Sequence, residues 1–126
     1  MAKHPAKAAV KCAATDKRSG VFDWHDVVDG TTLNSDVTIL FFSTDAVGKG
    51  PSWHVHPYDE IFIIKRGRAR FKVGDEIIDA EEGDIVMGPA AVPHKYENLG
   101  PGPLESIDIH LSRSWVQTDL EDPDLK

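Results

Sequence analysis

The sequence has 126 residues, 40% of them hydrophobic, a length that predicts one domain able to bury a core without disulfides. Its single cysteine, Cys12, excludes an intramolecular disulfide. The net charge of −7 argues against nucleic acid as a partner, because phosphate backbones bind basic surfaces.

The N-terminal residues are rich in alanine and lysine, and we expect residues 1–18 to form a flexible leader. Lys7 and Lys11 interrupt any apolar run there, so the leader lacks the hydrophobic region of a signal peptide. No stretch of the sequence reaches the ~20 apolar residues of a membrane span. We therefore expect a cytoplasmic protein whose residues 19–126 form a single folded domain.

Short runs of strand-forming residues, separated by turn residues, predict an all-β fold. A first strand is expected over residues 21–28, and Asp29-Gly30 predicts a turn. A β-branched and aromatic run within residues 36–47 is typical of a buried strand. Further strands are expected at residues 53–56, 60–65, 68–73, 76–80, 85–87, 92–97 and 104–112. Many short strands joined by frequent turns favour an antiparallel sandwich or a closed barrel.

Residues 68–73 alternate between apolar and basic side chains with the period of two expected for a half-buried strand. Ala69, Phe71 and Val73 are therefore expected to point to the core. The basic face is expected to lie in solvent; turned inward, it would instead bind an anionic substrate. That face carries Arg68, Arg70 and Lys72.

Residues 104–112 alternate in the same way, and two orientations stay open for their polar face. The apolar face is the natural core face. It carries Ile107, Ile109 and Leu111. Asp108 and His110 would then point outward. In the alternative they face the interior, as partners of other site residues or as a general acid–base pair.

The C-terminal segment carries a weak helical signal. Trp115, Val116 and Leu120 recur at roughly helical spacing. A short turn or helix is therefore expected near the C-terminus.

Three histidines and one carboxylate are spaced so that they can meet inside such a sheet. His54 and His56 lie two residues apart, so on a strand both imidazoles project from one face. A turn after Pro57 lets Glu60 begin the next antiparallel strand on that face, and His94 arrives from a later strand. A lone His-x-His pair is more often a surface or core feature, but the acid and the third histidine favour a metal site. This donor set suits one divalent transition metal ion, namely Fe, Mn, Ni, Zn, Co or Cu.

These residues belong to two spaced motifs. The first motif consists of Gly48, His54, His56, Glu60 and Gly67. The second consists of Gly83, Pro89, His94 and Asn98. Through these two motifs the chain resembles the cupin family of small β-barrels. Ala91 stands where the family usually has glycine, which restricts the turn slightly and leaves all four ligand positions matched.

The resemblance implies a double-stranded β-helix, or jelly-roll, barrel with its motif core at residues 48–98 and the metal inside one mouth. It does not imply one function, because such barrels serve many. Relatives include dioxygenases, isomerases, decarboxylases, lyases and binding proteins without turnover. It also implies a homodimer, whose second subunit would cover the outward-facing Ile61 and Ile63.

The strand period places Phe62 on the same face as Glu60, and Tyr96 on the same face as His94. Phe62 and Tyr96 are therefore candidates to line an apolar pocket, although ordinary barrel packing is the simpler interpretation. Tyr96 and His110 are the candidate catalytic residues, as proton-transfer groups.

Together these features predict a metal-dependent enzyme acting on a small oxygen-rich molecule. Dioxygenase-like oxidative cleavage is the favoured chemistry, ahead of isomerisation and of decarboxylase or lyase chemistry. The alternative is a non-catalytic protein that binds or senses a small molecule through the metal.

Overall fold

Residues 7–12 and 26–125 are described by a computed structural model of the chain. In chain order, the strands among them are β1 (Asp26–Val28), β2 (Thr38–Thr44), β3 (His54–Val55), β4 (Glu60–Arg66), β5 (Arg68–Val73), β6 (Glu76–Glu81), β7 (Ile85–Gly88), β8 (His94–Asn98), β9 (Leu104–His110) and β10 (Thr118–Asp119). They form two antiparallel sheets, with the order β1-β2-β9-β4-β7 in the first and β10-β3-β8-β5-β6 in the second. The predicted all-β jelly-roll fold is confirmed.

The N-terminal part of the chain is described only in pieces. Of the strand expected over residues 21–28, β1 is the described portion, and residues 21–25 lie outside the described residues. Of the leader expected over residues 1–18, only residues 7–12 are described, and these are exposed and contain no helix or strand. The flexibility of the leader stays a prediction.

The turn predicted at Asp29-Gly30 is made by a single helical turn, α1 (Gly30–Leu33). Asp29 caps it, because Oδ1 of its side chain accepts a hydrogen bond from the Thr32 amide at 2.9 Å. A capped turn of this length carries too little apolar periodicity to be recognised as a helix from sequence.

The core lies between the two sheets, and β5 contributes to it with the predicted phase. Ala69 and Phe71 are fully buried, whereas Arg68 and Arg70 are exposed. Arg70 pairs on the outer face with Asp79 of β6 at 2.8 Å, so the basic face of β5 lies in solvent as expected. The buried apolar residues form one cluster that consists of Phe62, Ile64, Ala69, Phe71, Val73, Ala80, Val86, Tyr96 and Leu104.

In β9 the polar face points into the barrel. The polar residues of this face, each at most 3% exposed, are Ser106, Asp108 and His110. Ile107 and Ile109 are only partly buried, and Leu111 is 47% exposed. Of the two orientations that the sequence left open, the structure has the one in which Asp108 and His110 face the interior, and the interpretation of the apolar face as the core face is wrong. The reason is that polar groups of other strands meet β9 inside the barrel, with Glu60 of β4 directly opposite His110.

The C-terminal segment does not form a helix where Trp115, Val116 and Leu120 suggested one. β10 instead pairs with β3, because the open edge of the second sheet accepts another strand there. The expected helical turn lies further on, as a 3-10 helix at Pro123–Leu125. No helix in the described part of the chain is long and apolar enough to cross a membrane.

Ion pairs made by acidic side chains hold residues 115–125 against the outer face of the second sheet. Lys95 of β8 pairs with Asp122 at 2.7 Å and with Asp124 at 3.0 Å, and Lys72 of β5 pairs with Asp124 at 3.0 Å. We call residues 115–125 the C-terminal strap. Its position matters because its earlier part reaches the candidate site.

Candidate metal centre

The four candidate ligands meet where three strands begin. His54 begins β3, Glu60 begins β4 and His94 begins β8, while His56 directly follows β3. His54 lies opposite His94 in the β3–β8 pair. All four side chains are at most 4% exposed, and their ligand atoms all lie within 4.8 Å of one another. The structure therefore brings together the four residues to which the sequence motifs pointed.

Backbone contacts hold the turn that carries two of these ligands. The Asp59 side chain accepts a hydrogen bond from the Ala90 amide at 2.7 Å, and the His56 carbonyl accepts one from the Ala91 amide at 2.8 Å. Ala91 has a φ of 64°, the left-handed conformation that glycine adopts freely. Alanine tolerates it at a cost of about 1 kcal/mol, and the contact with His56 is kept.

Backbone carbonyls fix the orientation of two of the imidazoles. Nδ1 of His54 hydrogen-bonds to the carbonyl of Ser52, and Nδ1 of His56 hydrogen-bonds to the carbonyl of Val116 at 2.7 Å. Because a carbonyl only accepts hydrogen bonds, each Nδ1 carries the proton and each Nε2 keeps its lone pair. Both lone pairs are then available to a metal ion.

Nε2 of His56 is a buried nitrogen without a hydrogen-bond partner among the described residues. It lies 3.1 Å from Oε1 of Glu60, but not in the geometry of a hydrogen bond. Nε2 of His94 hydrogen-bonds to the same oxygen at 3.1 Å, and Nδ1 of His94 is a second buried nitrogen without a partner among the described residues. A lone pair that faces a carboxylate oxygen in a buried place is unfavourable unless a cation lies between them. Three imidazole nitrogens and one carboxylate oxygen thus fit a divalent metal ion.

The pKa values place two of the ligands in their metal-binding forms. Burial lowers the pKa of His54 to about 4, and the neighbouring imidazoles add to the shift. Burial alone would raise the pKa of Glu60, but the surrounding imidazoles, with His110 the strongest, outweigh it and hold the pKa well below its ordinary range. At neutral pH His54 is therefore neutral and Glu60 is ionised, as metal binding requires.

A profile of the cupin domain matches residues 41–110, a span that includes all four candidate ligands. The chain belongs to the cupin family. The same span includes β3 to β9, so the family match covers most of both sheets.

Two curated relatives of this cupin are uncharacterised proteins. One, from Streptomyces coelicolor, is 31% identical over 64 residues, which is 51% of this chain and 60% of the relative. The other, from Methanocaldococcus jannaschii, is 35% identical over 62 residues, which is 48% of this chain and 50% of the relative. The matched part spans less than two thirds of either relative.

Solved structures of oxalate decarboxylase from Bacillus subtilis have the same fold as this cupin. One study of the Mn(II) centres of that enzyme gives a TM-score of 0.70 at 22% identity, over 75% of this chain and 27% of that chain. The structure of the enzyme at pH 4.6 gives a TM-score of 0.69 over the same shares. At this identity the likeness establishes the fold alone.

In this cupin, His110 holds the second oxygen of the Glu60 carboxylate. Its Nε2 lies 3.0 Å from Oε2 of Glu60, and its Nδ1 lies 2.7 Å from the hydroxyl of Tyr58. The backbone amide and carbonyl of Val116 both lie 3.1 Å from that hydroxyl. No local pattern in the sequence indicated these contacts, because Tyr58 is 52 residues from His110 and 58 from Val116.

Tyr96 belongs to a second buried polar group. Its hydroxyl donates to Oδ2 of Asp108 at 2.6 Å and lies 3.0 Å from the Ser106 hydroxyl. Burial raises the pKa of Asp108 to about 8, and the Glu60 carboxylate adds to the shift. Burial, followed by Asp108, also raises the pKa of Tyr96 well above its ordinary value. The Tyr96 hydroxyl therefore keeps its proton in the interior.

A cavity of about 420 Å³ adjoins the candidate ligands. Phe62 and Tyr96 both line it, on the faces that the strand period predicted. His54, Glu60 and His110 form part of its polar wall. Its apolar wall includes Val27, Leu40, Phe41, Phe42, Pro51 and Trp115. Asn98 lies elsewhere and fixes a loop, since its side chain contacts Gly100 and Gly102.

Proposed function

We propose that this cupin holds one divalent transition metal ion and acts as an enzyme on a small oxygen-rich molecule. The ligands are His54, His56, Glu60 and His94. The observation that carries the proposal is the convergence of three imidazoles and one carboxylate, all buried, beside a cavity of about 420 Å³. That volume is in the range of small-molecule sites. Iron, manganese, nickel, zinc, cobalt and copper all accept this donor set.

The surrounding side chains have roles that suit such an enzyme. When bound, the ion supplies a Lewis acid and, if it is redox-active, a centre for oxidative chemistry. His54 and Glu60 connect the ligand cluster to the cavity, while Phe42 and Phe62 exclude water from its wall. His110 bridges Glu60 and the Tyr58 hydroxyl, and so provides a path for a proton at the cavity wall.

Oxidative cleavage of the dioxygenase type is the favoured reaction. Four protein ligands would leave one or two positions open on a five- or six-coordinate ion, and the cavity beside His54 and Glu60 has room for a substrate. Decarboxylation comes next, supported by the shared fold with oxalate decarboxylase, and isomerisation or lyase chemistry follows.

One observation favours a non-catalytic role, in which the metal only binds or senses a small molecule. Both candidate proton-transfer groups are already hydrogen-bonded: His110 to Glu60 and Tyr58, and Tyr96 to Asp108. A group held on all sides has less freedom to exchange a proton with a substrate. Binding without turnover is therefore the second candidate function.

Metal analysis followed by a turnover screen tests the proposal. Protein prepared without chelator is expected to hold one transition metal ion per chain. An oxygen electrode then measures oxygen uptake with diketones, catechols and flavonols, and product analysis detects decarboxylation. Oxygen uptake dependent on the metal supports the dioxygenase. Tight binding of these compounds without any product would favour the binding protein, and protein that takes up no metal would refute both.

The outer face of the first sheet supports a homodimer. Ile61 and Ile63 are partly exposed, and the residues paired with them, Met87 and Ile85, are 49% and 66% exposed. A contiguous apolar face is typical of a protein–protein contact. We expect light scattering to give a dimer for the wild-type protein and a monomer for Ile63→Lys. A wild-type monomer would contradict the dimer.

A further inference from the structure

The cavity has an acidic polar group away from the candidate ligands. Asp108 lines the cavity, although only 3% of its surface is exposed. Among the cavity-lining residues that the structure describes there is no lysine or arginine. A ligand in this cavity therefore meets carboxyl groups, two imidazoles and aromatic rings, with no described side chain that carries a permanent positive charge.

The two carboxyl oxygens of Asp108 differ in their contacts within the described part of the chain. Oδ2 accepts the hydrogen bond from the Tyr96 hydroxyl at 2.6 Å, whereas Oδ1 has no hydrogen-bond partner among the described residues. Tyr96 is itself held by Ser106 at 3.0 Å, so Oδ2 is fixed and Oδ1 is left for something else. A buried carboxyl oxygen without a partner is costly, and a ligand that pairs with it removes that cost.

The strand register gives the distance between Asp108 and the metal ligands. Glu60 lies opposite His110, and Phe62 lies opposite Asp108 in the pairing of β4 with β9. Asp108 is thus two residues from the layer of Glu60, which corresponds to roughly 7 Å along the strands. A single small molecule can span this distance.

We propose that Oδ1 of Asp108 recognises a hydroxyl group of the substrate, while two other substrate oxygens chelate the metal ion. Asp108 is then a specificity-determining residue, and the substrate class is a small ring or branched molecule with a chelating oxygen pair at one end and a hydroxyl group at the other. The inference rests on the metal site of the proposed function.

A hydroxyl group suits this place because it both donates and accepts. It accepts a hydrogen bond from Asp108 as the acid and donates one to Asp108 as the carboxylate. The raised pKa of Asp108, about 8, makes the acid the main form at neutral pH. A second carboxylate on the ligand would instead approach Glu60 and Asp108 without any described lysine or arginine on the cavity wall.

A set of three related ligands tests the inference. Zn(II)-loaded protein, kept free of oxygen, is titrated calorimetrically with catechol, with 4-methylcatechol and with 1,2,4-trihydroxybenzene. The third ligand adds a hydroxyl group across the ring from the chelating pair, and the second adds a methyl group of similar size at that place. We expect the trihydroxy compound to bind about tenfold more tightly than the other two, the effect of one buried hydrogen bond.

In the variant Asp108→Leu, the ratio of the affinity for the trihydroxy compound to the affinity for the other two is expected to fall to about one. The variant should bind Zn(II) as the wild type does. Asp79→Leu, which removes a carboxylate from the outer face, serves as the matched control and should keep the tenfold preference. Should Asp108→Leu fail to fold, the wild-type protein alone still tests the inference, because equal binding of the three ligands would refute it.

Several outcomes would overturn the inference. Equal affinity for all three ligands would show that no hydroxyl group is recognised. An increase in affinity from the methyl group equal to that from the hydroxyl group would show the same. Neither result would contradict the metal site. A tenfold preference that persists in folded, zinc-loaded Asp108→Leu would place the recognition elsewhere. Wild-type protein that binds no Zn(II) would refute the metal site itself.

Discussion

β5 and β9 have nearly the same alternation of polar and apolar residues, yet they face opposite ways. In β5 the apolar residues point to the core, and Arg68 and Arg70 lie in solvent. In β9 the polar residues point inward, and Ile107 and Ile109 point outward. Alternation therefore determines which residues share a face of a strand but not which face is the interior.

The difference lies in what the two strands meet. The inward face of β5 packs against rings, with Phe71 and Tyr96 stacked at 4.7 Å. The inward face of β9 meets a buried carboxylate and a buried hydroxyl, and buried polar groups require hydrogen-bond partners. Asp108 and His110 are those partners. On the strand nearest a polar site inside a barrel, the polar residues therefore face the interior and the apolar residues face outward, which is the reverse of the usual arrangement.

The largest effect that would sharpen this comparison is expected from His110→Phe. The change leaves Oε2 of Glu60 and the hydroxyl of Tyr58 without the imidazole that joins them. Because a buried carboxylate that loses a hydrogen-bond partner is strongly destabilising, we expect the metal-free protein to lose about 3 kcal/mol of its free energy of unfolding in urea.

The matched variant on β5 is Arg70→Leu. It removes an exposed ion pair with Asp79, which is worth little in water, and no measurable change is expected. Equal losses in His110→Phe and Arg70→Leu would contradict the inward orientation of β9.

An intermediate effect is expected from the pH dependence of Asp108. Its folded pKa of about 8 lies above its ordinary value of 3.8, so the folded protein keeps a proton that the unfolded chain releases. Its contribution to stability is therefore complete below pH 3.8, falls as the pH rises and is lost above pH 8. Because asparagine does not titrate, Asp108→Asn removes this decrease in stability with rising pH.

Urea unfolding of metal-free protein measures the effect. Relative to wild type, Asp108→Asn should become steadily more stable as the pH is raised from about 5 to about 8. The control is Asp79→Asn on the outer face, whose pKa is lowered by Arg70, so that it stays ionised throughout this range and adds no pH dependence. A difference between wild type and Asp108→Asn that does not change with pH would contradict a protonated Asp108.

The smallest effect is expected at the exposed end of the C-terminal strap. Asp124→Asn weakens its ion pairs with Lys72 and Lys95, which lie in or near solvent. We expect a slight decrease in the melting temperature that disappears in roughly 0.5 M salt, because salt screens such pairs. A large loss of metal affinity in this variant would show that the strap, and not the barrel, holds the site together.

The sequence predicted the features that depend on neighbours along the chain. The strands follow from local runs, and the convergence of His54 and His56 follows from their spacing on one strand. The contacts that complete the site come from distant segments and were not predictable in this way. The Val116 carbonyl that orients His56 is 60 residues away, on a segment whose spacing suggested a helix. The orientation of β9 likewise depends on residues outside that strand.

Elemental analysis tests the central claim most directly. Wild-type protein, prepared without chelator, is compared with His54→Ala/His56→Ala by mass spectrometry of bound metals and by circular dichroism. We expect about one transition metal ion per wild-type chain and none in the double variant, with the β-sheet signal unchanged, because the ligands lie at strand ends and outside the apolar core. Equal metal content in the two proteins, or a metal-free wild type, would contradict the assignment.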